Sequence, residues 1–189
     1  MKKILLFIIA AFLMPDAFSQ YFNTSQVGML MGSRTNLYSY GNTETRTEFF
    51  PSFFMTNGII FNEYMAAGIG VGIEYLDRNL IPAFFDIRRS LRDNDVSPFF
   101  GLKMGYSFST FKKERNGNHY FKKNGGFMLH PEMGVKIPLS ERADLQFSVA
   151  YRFQELKTTN AHEIGNHTDK DVNKTNLNRL YFGMAIMFR

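Results

Sequence analysis

The sequence predicts an all-β protein, an eight-stranded antiparallel up-and-down transmembrane β-barrel with a packed polar lumen. Three observations carry this. Apolar residues recur at every second position in segment after segment, no helical periodicity of any length appears, and the apolar faces hold more bulk than so small a barrel can enclose.

The chain opens with "MKKILLFIIAAFLMPDAFSQ": a basic start, an apolar run from Ile4 to Met14, a breaker at Pro15, and small residues at Ala17 and Ser19. This reads as a secretory signal peptide over residues 1–19, with the barrel domain over 20–189. The apolar run covers 11 residues, too few for a membrane-spanning helix, which needs roughly 18 or more. Cysteine is absent, so there is no lipid attachment site and no disulfide in an exported domain. The precursor carries +5, and losing Lys2, Lys3 and Asp16 lowers this to +4. Such a mild, scattered charge does not suit nucleic acid, and no such partner is expected. After Met14 no long apolar run recurs, so no transmembrane helix is expected in the mature chain.

The period-two segments follow in order. Met65 to Tyr75 alternates Met, Ala, Ile, Val, Ile and Tyr with Ala66, Gly68, Gly70, Gly72 and Glu74. Pro98 to Phe108 sets apolar residues against Phe99, Gly101, Lys103, Gly105 and Ser107. Phe127 to Ile137 sets them against Met128, His130, Glu132, Gly134 and Lys136. Leu145 to Phe153 sets them against Gln146, Ser148, Ala150 and Arg152. The last, Leu180 to Phe188, alternates with Tyr181, Gly183, Ala185 and Met187. Each is a strand signature. Val27 to Met31, Phe49 to Phe61 and Ile81 to Ile87 read as three further strands, with Asp86 and Arg88 on the polar side of the last. Short polar turns at 62–64, 92–95 and 140–144 alternate with longer stretches at 34–45, 111–124 and 157–176, expected as loops. Only "LDRN" at 76–79 is short where a long connection is due. A meander with short turns at one end and long loops at the other results.

Bulk decides which way the apolar face points. About forty apolar side chains, many of them Phe, would have to fit inside a barrel that eight strands make just wide enough for modest side chains. The opposite face, rich in Gly, Ala and Ser with a few charges, suits a narrow lumen. The apolar face therefore points outward, into lipid. Phe49, Tyr75, Tyr106, Phe108, Tyr151, Phe153 and Phe182 fall toward the long-loop end and form an expected aromatic girdle.

With the signal peptide, "MAAGIGVGIEY", "GGFMLHPEMGVKIPLSERADLQFSVAYRFQ" and the closing strand, the mature chain resembles the small eight-stranded outer-membrane β-barrels of Gram-negative bacteria, similar to the OmpA membrane domain and OmpX. The resemblance implies an integral outer-membrane location with both termini periplasmic. It also implies that the alternating last strand (Leu180, Phe182, Met184, Ile186 and Phe188) is the signal read by the barrel-assembly machinery. Phe188 fills the terminal aromatic position, and Arg189 departs from the pattern by following it. Outer-membrane lipids, and lipopolysaccharide through the loops, are the expected partners of a monomer.

Within the lumen, Glu48, Glu74, Asp86 and Glu132 share space with Arg88, Lys103, Lys136, Arg152 and Arg179. Unpaired charges there would cost several kcal/mol each, so ion pairs forming a closed plug are expected; the alternative is a conducting or proton-handling path. "FKKERNGNHYFKK" offers Lys112, Lys113, Arg115, Lys122 and Lys123 to lipopolysaccharide phosphates, against the plainer reading of a solvated loop. "HEIGNH" has histidines five apart, about 140° around a helix, which does not match the metalloprotease spacing. No metal or cofactor is expected. "GIGVG" lies inside a strand and gives room to lumen side chains instead of cradling a dinucleotide.

Two functions compete. One is a non-enzymatic barrel serving envelope integrity or surface interaction. The other is a lipid A deacylase or acyltransferase of the same architecture, which needs a nucleophile and an activating His near the membrane surface. The deacylases place His and Ser two apart on a strand, whereas His119, His130, His162 and His167 are followed at that spacing by Phe121, Glu132, Ile164 and Asp169. A secreted, lipocalin-like carrier is the third possibility, with the apolar face turned inward.

Overall fold

The computed structural model describes residues 21–37, 43–62, 64–75, 79–91, 96–110, 114–116, 119–164 and 167–189. The expected signal peptide lies outside them. The strands are β1 (Tyr21–Leu37), β2 (Thr43–Asn62), β3 (Met65–Tyr75), β4 (Asn79–Ser90), β5 (Ser97–Ser109), β6 (Glu114–Asn116), β7 (His119–Asn124), β8 (Phe127–Ser140), β9 (Ala143–Ile164) and β10 (His167–Phe188). There is no helix among the described residues.

Eight of these strands form a ring in the order β1-β2-β3-β4-β5-β8-β9-β10, every pair antiparallel, and β10 returns to β1. The closing register runs from Asn23 opposite Phe188 to Met31 opposite Leu180. The last strand therefore has a neighbour on both edges, since Ile186 also lies opposite Leu145 and Phe182 opposite Val149 on β9. Closure is what allows a sheet to sit in lipid, where an open edge would leave backbone donors and acceptors unpaired.

The side chains are distributed inside out relative to a water-soluble protein. Val27, Met29, Phe53, Met55, Ile69, Val71, Phe85, Met104, Val149 and Met184 are exposed, whereas Glu74, Asp86, Lys103, His130 and Arg152 are fully buried. Leu180, Phe182, Met184, Ile186 and Phe188 all stand on the exposed face. A lipid-facing wall has this pattern, and the 11 residues of β3 match the roughly 9–11 that a tilted strand needs to cross the hydrocarbon. Phe49, Tyr75, Tyr106, Phe108, Tyr151 and Phe182 are exposed, and Phe153 is half-buried with its ring 6.4 Å from that of Phe127. A second aromatic belt at the short-turn end, made by Tyr21, Phe61, Tyr64 and Phe188, was visible in sequence only at Phe188.

The connections differ from the expected loops. Strands β1 and β2 stay paired to Leu37 and Thr43, and β9 and β10 to Ile164 and His167, so most of 34–45 and 157–176 is ladder. Within 111–124, β6 and β7 form a hairpin whose β7 pairs with β9 beside the extension. The first strand begins at Tyr21, six residues before the expected Val27, and β4 extends beyond both ends of 81–87. Past the bilayer both faces of a strand meet water. The apolar alternation then stops while the hydrogen-bonded ladder, favoured by the Thr-rich sequence, continues.

Candidate functional site: the charged lumen

Strand β9 gives the vertical order inside the barrel. From the short turn upward its buried residues are Asp144, Gln146, Ser148, Ala150, Arg152, Gln154 and Leu156. Polar groups thus occupy two levels, separated at Ala150 by an apolar one.

The ionisable groups of the lower polar level come from three neighbouring strands. Lys103 on β5 is the register partner of Asp86 on β4 and of His130 on β8, and Gly101 on β5 is the partner of Arg88 and of Glu132. The gap above Gly101 lets the flanking charges approach, since a Cβ at that position would lie 2.8 Å from Cγ and Oε1 of Glu132. Lys103 Nζ stands 2.5 Å from Glu132 Oε1, and Arg88 Nη2 lies 3.8 Å from the same oxygen. Arg88 also donates to Asp86 Oδ2 from Nη2 at 2.7 Å and from Nε at 3.0 Å, and to Gln146 Oε1 at 2.6 Å. The second oxygen of Glu132 accepts from Gln26 Nε2 at 3.2 Å, and His130 Nε2 is 3.7 Å from it. One carboxylate thus serves two cations.

The upper level is simpler. Arg152 Nη2 on β9 reaches across the lumen to Glu74 Oε2 on β3 at 2.5 Å. It also donates to Gln154 Oε1 at 3.2 Å, which accepts from Ser107 Oγ at 2.7 Å. One cation here meets one anion.

Between the levels lies an apolar and aromatic belt that the sequence reading did not anticipate. Leu30, Phe54, Leu80, Phe84, Met128, Ala150 and Tyr181 are buried together. The Phe54 and Phe84 rings meet edge to face at 5.6 Å, and His130 lies 4.8 Å from the Tyr181 ring. The glycines of "GIGVG" make the space, as expected of them. A Cβ on Gly70 would collide with the Phe84 ring and one on Gly72 with the Phe54 ring.

Three expected lumen residues remain. Arg179 lies over the Phe50 ring at 4.4 Å. Glu48 is half-buried in β2, opposite Gly32. Lys136 lines a cavity at the short-turn mouth. His130 and Gln146, placed on the lumen side by alternation, and Gln26 and Gln154, one residue outside the expected strands 27–31 and 145–153, join the polar levels; continuing the alternation by one residue was the signal for the last two. Arg189, which follows the terminal aromatic, is fastened. Its Nη2 donates to Asp144 Oδ1 at 2.9 Å and its backbone N–H to the Arg142 carbonyl at 2.9 Å.

Of the basic loop, Lys112 and Lys113 lie outside the described residues. Arg115 is opposite Tyr120 in the β6–β7 hairpin, and Lys122 and Lys123 are opposite Thr159 and Thr158 of β9; their side chains lie outside what is described. The "HEIGNH" side chains do too.

The ring, the apolar outer wall and the filled lumen define a transmembrane β-barrel. Two solved structures similar in fold are the outer membrane protein OprG from Pseudomonas aeruginosa, with a TM-score of 0.58 at 14% identity over 91% of this chain and 97% of that one, and the N-terminal β-barrel domain of OprF from the same organism, with a TM-score of 0.52 at 8% identity over 90% and 99%. At such identities the likeness is one of fold. No protein-family model and no curated protein sequence matches the chain.

Proposed function

We propose that the protein is a monomeric, non-enzymatic, integral outer-membrane β-barrel that serves envelope integrity or surface interaction through the hairpins at its far end, with both termini periplasmic. The observation that carries this reading is the filled lumen inside a lipid-facing wall: the interior is occupied by ion pairs and rings, which leaves the projecting ends as the working surfaces. The β1–β2, β6–β7 and β9–β10 hairpins project at the end opposite the termini. With the termini periplasmic, these hairpins face outward, and lipopolysaccharide phosphates would be held by charge-assisted hydrogen bonds from the basic residues Lys112, Lys113, Arg115, Lys122 and Lys123.

The test compares a deletion strain with its parent. The expected result is unchanged lipid A by mass spectrometry together with greater permeability of the envelope to bulky solutes. An altered lipid A acyl pattern would replace this reading with the enzymatic one. Reversing the five basic charges should reduce lipopolysaccharide binding by the purified protein, and undiminished binding would remove the loop from the account. Deleting Phe188 and Arg189 should prevent membrane assembly, with unchanged heat-modifiable gel mobility as the contrary result.

A further inference from the structure

At the short-turn mouth, far from the projecting hairpins, a cavity of about 270 Å³ opens from the lumen, lined among others by Arg88, Lys136, Gln146, Ser90, Asn62 and Arg189. Among the described side chains, four cations stand against three carboxylates at and just inside it. Arg88 is held by Asp86 at 2.7 Å, Lys103 by Glu132 at 2.5 Å, and Arg189 by Asp144 at 2.9 Å. Lys136, only 9% exposed, has no carboxylate partner among the described residues. Its register neighbours are Ser97 on β5 and Gln146 on β9, both neutral. Its stem is packed while the residue lines the cavity, so an anion entering there would be the first counter-charge its ammonium meets.

We propose that this cavity is an anion-binding site, taking a phosphate or carboxylate group on the Lys136 ammonium. Side-chain amides and hydroxyls of Asn62, Gln146 and Ser90 line the same space, and such groups donate hydrogen bonds to the remaining oxygens of a tetrahedral or planar oxyanion. The cavity is partly open toward the mouth, so the anion enters from the aqueous side or as the headgroup of a lipid at the rim beside Tyr64 and Met65.

The probe is inorganic phosphate, titrated at constant ionic strength into the purified protein in zwitterionic nanodiscs and followed by amide chemical shifts. The expected result is a saturable shift confined to Lys136, Ser97, Gln146 and Ser90, weakened about tenfold or more in Lys136→Met and retained in Lys136→Arg. A second arm replaces free phosphate with nanodiscs containing an anionic phospholipid. A response in the first arm assigns a soluble anion, and a response in the second alone assigns a lipid headgroup. Diffuse, non-saturating shifts in both arms overturn the site, as does a Lys136→Met protein with native heat-modifiable mobility that binds as the parent does. The localisation of shifts in the parent decides the matter even if Lys136→Met does not fold.

Discussion

The two charged levels of the lumen use the same residue types in different arithmetic. Above the aromatic belt, Glu74 and Arg152 meet one to one across the barrel, with Gln154 and Ser107 filling in. Below it, Glu132 is shared by Lys103 and Arg88, Asp86 holds the other face of Arg88, and Lys136 is left over. A matched pair is self-contained and can be removed as a unit. A shared carboxylate cannot, because Lys103 and Arg88 both face its Oε1 while Gln26 donates to its Oε2. The upper level is therefore a strut between β3 and β9, whereas the lower one joins β4, β5 and β8 at a single point.

Removing that point should produce the largest effect. Glu132→Gln leaves Lys103 and Arg88 buried near each other with only Asp86 between them, and should cost about 3–5 kcal/mol in urea unfolding followed by heat-modifiable mobility. A loss below that of Glu74→Gln would dissolve the distinction between the levels. Glu74→Gln comes next, at about 3 kcal/mol for an unpaired Arg152. Adding Arg152→Met should recover most of it, because an apolar pair of similar volume is tolerated in place of a buried ion pair. The corresponding Lys103→Met added to Glu132→Gln should recover less, since Arg88, although still paired with Asp86, loses its second carboxylate. Gly101→Val should cost about 1–3 kcal/mol by overpacking against Glu132. Combined with Glu132→Gln it should be less than additive, because the two changes act on one contact.

The wall was legible in the sequence because lipid on one side and a narrow lumen on the other impose a strict alternation. Ile69, Val71 and Ile73 could be placed outside, and Gly70, Gly72 and Glu74 inside, from β3 alone. The ladder beyond the bilayer was not legible. Segment 157–176 is polar on both faces, as a strand bathed in water on both sides can be, so it read as a loop. In the lumen, the charged residues were identifiable by parity but their partners were not. Glu74 and Arg152 lie on strands that are not neighbours, and only the curvature of the closed ring brings them together. The aromatic belt escaped notice because Tyr181, Phe54 and Phe84 stand on lumen-facing positions where small residues were expected. Their acceptance depends on glycines of other strands, such as Gly70 beneath Phe84 and Gly28 beneath Tyr181.

All of this rests on the claim that the lumen is a closed plug, with polar levels and rings leaving no water-filled path. Planar-bilayer recording of the purified protein tests it most directly. The account predicts no unitary conductance steps from the parent protein, and steps appearing when Glu132→Gln and Glu74→Gln are combined; regular, stable single-channel openings from the parent protein would contradict it.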